Sequence, residues 1–183
     1  KQGTDLPVGV NMLRNDAKSA LAVAAATGAD FIRVNVHYGV MAAEEGMVQG
    51  EAYETLRHRK TLGVDVKILA DVLVKHAVPI GPQDLGQMAQ ETTYRGLADG
   101  LIVSGPVTGE PAEASDVAVV REAVPQGFLL VGSGINVENA ARILASADGA
   151  IVGTSLKRDG IVSSLIDLER VKRLADIIHE LGT

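Results

Sequence analysis

Short apolar runs recur along this sequence at residues 8–13, 31–36, 66–72, 101–104, 128–131 and 150–152, and the stretches between them read as helix. Runs this short suit strands, and helical sequence between successive strands implies parallel pairing through crossovers. The helices have legible ends. Asn15 or Asp16 caps the first, which stops at Gly28; the second lies near 51–62 and stops at Gly63. The third carries Pro82 in its first turn and ends at Gly96; Ser115 caps the fourth, which Pro125 closes. Asn136 caps the fifth, and Asp167 caps the last, whose apolar face is Leu168, Val171, Leu174, Ile178 and Leu181 before Gly182. The pattern predicts six βα units with no hairpin between them.

Such a series folds as a doubly wound sheet or as a barrel. No Gly-rich dinucleotide fingerprint follows the first strand, which disfavours the first. The last two strand ends favour the second. LLVGSGI at 129–135 and AIVGTSLK at 150–157 each run from apolar residues into glycine and small hydroxyl residues, then toward helix. Glycine lets the backbone approach an anion closely, and two such corners on neighbouring strands can share a phosphate. That arrangement follows the seventh and eighth strands of many (β/α)8 barrels. Gly132, Ser133, Gly134, Gly153, Thr154 and Ser155 are therefore the expected phosphate-binding residues. The expected fold is α/β: a single partial TIM-barrel domain over 1–183, with strands 3 to 8 of a (β/α)8 barrel present and the first two units absent. The first residue is Lys, which agrees with a piece of a longer chain.

Composition supports this and narrows the partners. Hydrophobic residues make up 46% and aromatics only 3%, so the core must be Ala, Val, Leu and Ile, as suits helices covering a parallel sheet. A net charge of −6 without a basic cluster argues against nucleic acid. Cysteine is absent, which excludes disulfides and thiolate metal sites and agrees with a reducing cytoplasm. No apolar run approaches the roughly 20 residues that span a bilayer, so membrane association would be peripheral. No signal peptide is read at the N-terminus, no cofactor is implied, and a strand edge left open by missing units would favour a homo-oligomer.

Alternation places the candidate site. In FIRVNVH, Arg33, Asn35 and His37 share one face and Ile32, Val34 and Val36 the other; a helix-covered face cannot hold the polar set cheaply, so it points into the barrel. Gly9 and Asn11, then Lys67, Leu69 and Asp71, turn inward by the same reasoning, and Asp71 should pair with Arg33. This row could be a polar layer that only stabilises the barrel. Near the strands' C-terminal ends it could instead be the substrate site, with Asn11, Arg33, Asn35 and Ser104 binding and Asp71, His37 and Lys75 catalytic. Arg14 could clamp an anion, Lys157 and Arg158 could reach phosphate oxygens, and His76, Thr108 and Glu110 lie in neighbouring loops. Metal binding through His37, His76, Asp71 and Glu110 has no diagnostic spacing, and no metal site is assigned. Aspartates in Gly28-Ala29-Asp30, Leu97-Ala98-Asp99 and Ser146-Ala147-Asp148 read as polar turns at strand entrances.

The segments GVNMLRNDAKSALAVAAATGADFIRVNVHYG, ILADVLVKHAVP, GLADGLIVSGPVTGEP, VGSGINVENA and DGAIVGTSLKRDG closely resemble the BtpA/SgcQ family. The resemblance implies a barrel of the ribulose-phosphate-binding group, with two further βα units before the first strand seen here. Through a cyanobacterial member associated with thylakoid membranes, it also implies a part in photosystem I accumulation. It supplies no residue-by-residue mechanism. Two functions compete: an enzyme of isomerase or lyase type on a small phosphorylated metabolite, most simply a sugar phosphate, and a non-catalytic assembly factor for a membrane complex. Nucleotide hydrolysis is disfavoured, because GxxxxGK[ST] is missing.

Overall fold

The computed structural model describes residues 3–73, 77–81, 84–105 and 111–181, with the side chain of Leu73 outside that description. Chain order is β1 (Gly9–Asn11), α1 (Ala17–Thr27), β2 (Phe31–Val34), β3 (Val40–Ala43), β4 (Gly46–Gln49), α2 (Ala52–Leu62), β5 (Lys67–Leu73) and β6 (Ala77–Pro79). There follow α3 (Leu85–Gln90), β7 (Gly100–Ser104), α4 (Ala114–Ala123), β8 (Phe128–Gly132), α5 (Ala140–Leu144), β9 (Gly149–Ile151) and α6 (Leu168–Glu180). Strands β1, β2, β5, β7, β8 and β9 pair in that order, all parallel, which is the neighbour order of a barrel and not of a doubly wound sheet. The sheet is an incomplete barrel.

Strand alternation sorts the side chains as the pattern requires. Ile32, Val34, Ile68, Ala70, Leu101, Val103, Leu129 and Val131 are buried under the helices. Each large one contributes roughly 1.5–3 kcal/mol by leaving water. The other face lines the concave interior. There, Phe31, Leu69, Phe128 and Leu130 bound an open apolar cavity of about 490 Å³ near the strands' N-terminal ends. Lys67 lies at its edge and bonds Asp65 at 2.8 Å.

Helix ends follow local chemistry. Asp16 Oδ1 accepts the Ser19 N–H at 2.9 Å, and Gly28 ends α1 in the left-handed region at φ 70°. Asp167 accepts the N–H groups of Glu169 and Arg170. Three expectations need correction. Ser115 lies inside α4, whose flanking residue is Glu113. Asn136 caps a turn ahead of α5, accepting from Glu138 and Asn139, and Asn139 immediately precedes the helix. Leu168 is exposed, and Leu174 is the buried residue of the α6 face. Pro82 lies outside the described residues.

The largest departure is a hairpin. Strands β3 and β4 pair antiparallel, and β6 joins on the other side of β3. The turn is Glu44-Glu45 followed by Gly46 at φ 108°, with none of the Asn-Gly or Asp-Gly chemistry that marks a short hairpin in sequence. Met41 is buried with Val36, against Val48 and Met88. The hairpin rises from the loop between β2 and α2, at the C-terminal end of the sheet.

The three strand-entrance aspartates do one job. Each backbone N–H donates to a carbonyl of the neighbouring strand segment at 2.8 Å: Asp30 to Val8, Asp99 to Ile68 and Asp148 to Leu129. Each Oδ2 then accepts the N–H of that same residue, at 2.7, 2.9 and 2.7 Å. Arg59 on α2 and Arg121 on α4 complete two of these clamps, reaching Asp99 at 2.6 Å and Asp148 at 2.7 Å. The clamps pin the N-terminal edge of the sheet.

Candidate functional site

At the C-terminal rim, β2 and β5 bring Arg33 and Asp71 together. Arg33 Nη2 donates to Asp71 Oδ1 at 2.9 Å and Oδ2 at 3.1 Å, and Nε adds a longer bond to Oδ2 at 3.3 Å. Asn35 lies one residue beyond the end of β2 and still reaches the cluster, Nδ2 donating to Asp71 Oδ2 at 2.6 Å. The carboxylate demands a donor there, which fixes the amide orientation. Asn35 Oδ1 is then a buried acceptor without a partner. Ser104, at the end of β7, stands 3.5 Å from Arg33 Nη2. A Cβ added to Gly132, the last residue of β8, would lie 2.7 Å from Ser104 Oγ and 3.8 Å from Arg33 Nη2. The missing side chain leaves the Ser104 hydroxyl room beside the guanidinium.

From Gly132 the chain enters the first corner. Ser133 and Gly134 have φ of 80° and 66°, turning the backbone sharply after the strand. Asn139 holds the turn, Nδ2 donating to Gly134 O at 2.9 Å and Oδ1 accepting from Asn136 N at 2.9 Å. The second corner runs from Gly153 into a single 3-10 turn, Thr154–Leu156. Ser155 Oγ donates to Ile135 O at 2.5 Å. This bond ties the two corners together, and Gly132, where the first begins, lies beside the Arg33 cluster.

Other candidates fall elsewhere. The alternation that turned His37 inward stops with β2 at Val34, and His37 instead lies buried in the helical layer, its Nε2 bonded to Gly96 O at 2.8 Å. It is not part of the rim cluster. Burial lowers its pKa below the ordinary 6.5, the Gly96 carbonyl partly opposing this, with smaller opposed influences from Arg59 and Asp99. A neutral ring donates from Nε2 and leaves Nδ1 a buried acceptor without a partner. Asn11 is exposed, in register with Arg33. Arg14 is held by Glu45 of the hairpin at 2.8 Å. Asn15 staples the same region, accepting from Val36 N at 2.7 Å and donating to Gln49 O at 3.2 Å. Lys157 Nζ donates to Val162 O within its own loop, and Arg158 is exposed. Lys75, His76, Thr108 and Glu110 lie outside the described residues. Among the described residues no three His, Asp or Glu side chains are grouped to hold a metal ion.

Arg170 escaped the sequence reading. Its Nη1 donates to Ser155 O at 3.3 Å, bracing the second corner from α6. The available signal was Asp167: a cap there places Arg170 in the first turn, over the preceding loop.

Fold and rim together define an incomplete (β/α)8 barrel with its polar cluster at the C-terminal ends of the strands. Solved barrels agree in fold. Thiamine phosphate pyrophosphorylase from Pyrococcus furiosus matches with a TM-score of 0.63 at 16% identity, over 97% of this chain and 69% of that one. Phosphoribosyl anthranilate isomerase from Thermococcus kodakaraensis matches with a TM-score of 0.61 at 15% identity, over 96% and 75%. The chain belongs to the BtpA family, whose model matches residues 1–180. It is 47% identical over 174 residues to the photosystem I biogenesis protein BtpA of Synechocystis, covering 95% of this chain and 61% of that protein. It is 32% identical over 177 residues to the putative sgc region protein SgcQ of Escherichia coli K12, covering 96% and 65%. The chain thus spans somewhat under two thirds of these relatives. No helix among the described residues is long and apolar enough to cross a membrane.

Proposed function

We propose that the rim binds a small phosphorylated metabolite of the sugar-phosphate class, with the phosphate between the two corners and the polyol over Arg33, Asn35 and Ser104. The Ser155–Ile135 bond carries the reading, because it fixes both corners in one place beside Gly132. Backbone N–H groups in such turns suit a phosphate, which needs several donors around one anionic centre. A polyol needs donors and acceptors together. Arg33 supplies the first, and the Ser104 hydroxyl supplies the second. Both fold neighbours described above have phosphate or phosphoribosyl in their names, which supports the reading by analogy of fold.

The catalytic form of this reading is isomerase- or lyase-type proton transfer. Asp71 would have to release a donor before accepting a substrate proton, so it acts first as the residue that positions Arg33 and Asn35. His37 is removed from the rim. This form assigns proton transfer to Lys75, four residues after Asp71 in the sequence, because desolvation can bring a lysine into a working range. Calorimetry on the full-length protein tests the binding: sugar phosphates should bind and the matching free sugars should not. Substituting Gly153→Asp, which adds a negative charge to the second corner, should abolish binding. Equal affinity in that variant would overturn the assignment.

A second reading rests on the 47% identity to a photosystem I biogenesis protein. In it the barrel binds its metabolite without turnover and serves assembly of a membrane complex through a partner. Turnover of a bound sugar phosphate by the full-length protein, lost in Lys75→Ala, separates the two.

A further inference from the structure

We propose a second oxyanion site on the outer flank of the barrel, in the groove between the turn at 136–138 and α6. The groove encloses about 210 Å³, and its walls include Asn136, Glu138, Ser155, Arg170, Arg173 and Leu174. That volume is small against the cavities that take whole drug-sized ligands, so the occupant is one compact group. Two arginines three residues apart on one helix line the same space. Arg170 commits one N–H to Ser155 O, leaving further donors of its planar fork. Asn136 directs Oδ1 to the N–H groups of Glu138 and Asn139, which leaves its Nδ2, a donor only, without a partner among the described residues. Leu174 is buried and forms an apolar floor. Donors on two sides and a positive helix face select an oxyanion.

Glu138 refines the selection. A carboxylate in the wall repels a bare dianion but accepts a hydrogen bond from an oxyanion that keeps a proton. Hydrogen phosphate has such a proton near neutral pH, and sulfate has none. The site therefore takes a tetrahedral oxyanion that keeps a proton, which near neutral pH is inorganic hydrogen phosphate. Ser155 belongs to this groove and to the second corner: its carbonyl holds Arg170 while its hydroxyl holds Ile135. An anion that draws on Arg170 thus acts on the brace of the inner corner, a coupling that rests on the proposed function of the rim.

The test is an NMR titration of the full-length protein with sodium phosphate, and separately with sodium sulfate, at constant ionic strength. Phosphate should give saturable shifts at 170–174 and at the Asn136 side-chain amide. Arg173→Gln should weaken them by at least about tenfold, as expected for loss of a charge-assisted contact. Glu138→Gln should narrow the preference for phosphate over sulfate. No saturable shift in the wild type, or unchanged affinity in Arg173→Gln, overturns the site. Shifts at Gly134 and Gly153 report the rim independently. Their absence while the α6 shifts persist would sink the rim assignment and leave this one standing.

Discussion

Arg33 engages both carboxylate oxygens of Asp71, at 2.9 and 3.1 Å, in a pair whose Asp71 side chain is 1% exposed and whose Arg33 side chain is 21% exposed. Removing one partner of such a pair strands the other charge. Arg33→Met should therefore cost about 3 kcal/mol, the low end for a broken buried pair because Arg33 keeps some water. Replacing both, as Arg33→Met with Asp71→Leu, should cost less than the sum of the single changes, since no charge is left stranded. Urea unfolding of the four proteins in the cycle measures this. Additive losses would mean the pair is not coupled.

The clamp on β8 makes a different prediction, because the carboxylate of Asp148 serves a backbone group. Leu129 is buried, and its N–H donates to Asp148 Oδ2 at 2.7 Å. Asp148→Ala orphans that donor and frees Arg121, so a loss of about 1–3 kcal/mol is expected. Asp148→Asn keeps an oxygen acceptor for Leu129 and loses mainly the half-exposed ion pair, which is worth up to about 1 kcal/mol. Thermal or urea denaturation should rank wild type above the Asn variant and that above the Ala variant. Equal losses would show that the ion pair, and not the backbone bond, is what matters.

Much of this was legible from residue order. The six runs became the six parallel strands because their Val, Ile and Leu alternate over buried faces, and Asp71 could be paired with Arg33 by alternation alone. The corners were legible because glycine and hydroxyl residues end two successive strands. Alternation failed at His37, where the strand had already ended and tertiary packing drew the ring under the helices. The hairpin was hidden because Ala42, Ala43, Glu44 and Glu45 carry neither β-propensity nor a recognised turn pair. Its docking depends on distant partners, Arg14 to Glu45 and Asn15 to Gln49, which no local pattern encodes. For Arg170 the Asp167 cap was a local signal of its place over the preceding loop, but not of its bond to Ser155 O.

His37 should make stability depend on pH. Its folded pKa lies below the ordinary 6.5 because burial opposes the charged ring. As pH falls through about 6.5 the unfolded chain takes up a proton that the folded chain refuses, so stability is full above that point and declines below it. The decline approaches 1.4 kcal/mol per pH unit at most, until the folded ring also protonates. Gln at this position retains a donor for Gly96 O without titrating. The difference in unfolding free energy between wild type and His37→Gln should therefore shift in favour of the variant as pH is lowered from 7.5 to 5.5. A constant difference across that range would show that the ring titrates alike in both states.

Gly132 offers the sharpest check on the rim. An added Cβ would sit 2.7 Å from Ser104 Oγ and 3.2 Å from Ile102 Cγ2, with Arg33 Nη2 just beyond at 3.8 Å. The first contact is to a hydroxyl that can rotate away, so Gly132→Ala should cost less than about 1–3 kcal/mol, the usual cost of overpacking. Its effect should fall on function. The rotated Ser104 and displaced Arg33 would no longer meet a polyol, and the new methyl would narrow the first corner. Sugar-phosphate affinity should drop about tenfold, the equivalent of losing one good hydrogen bond. Adding Ser104→Ala to Gly132→Ala makes room for the methyl, so Arg33 should return and part of the affinity with it. Calorimetric titration of the single and double variants reads this directly. If the double variant binds no better than Gly132→Ala, the steric path from Gly132 through Ser104 to Arg33 is not what shapes the site.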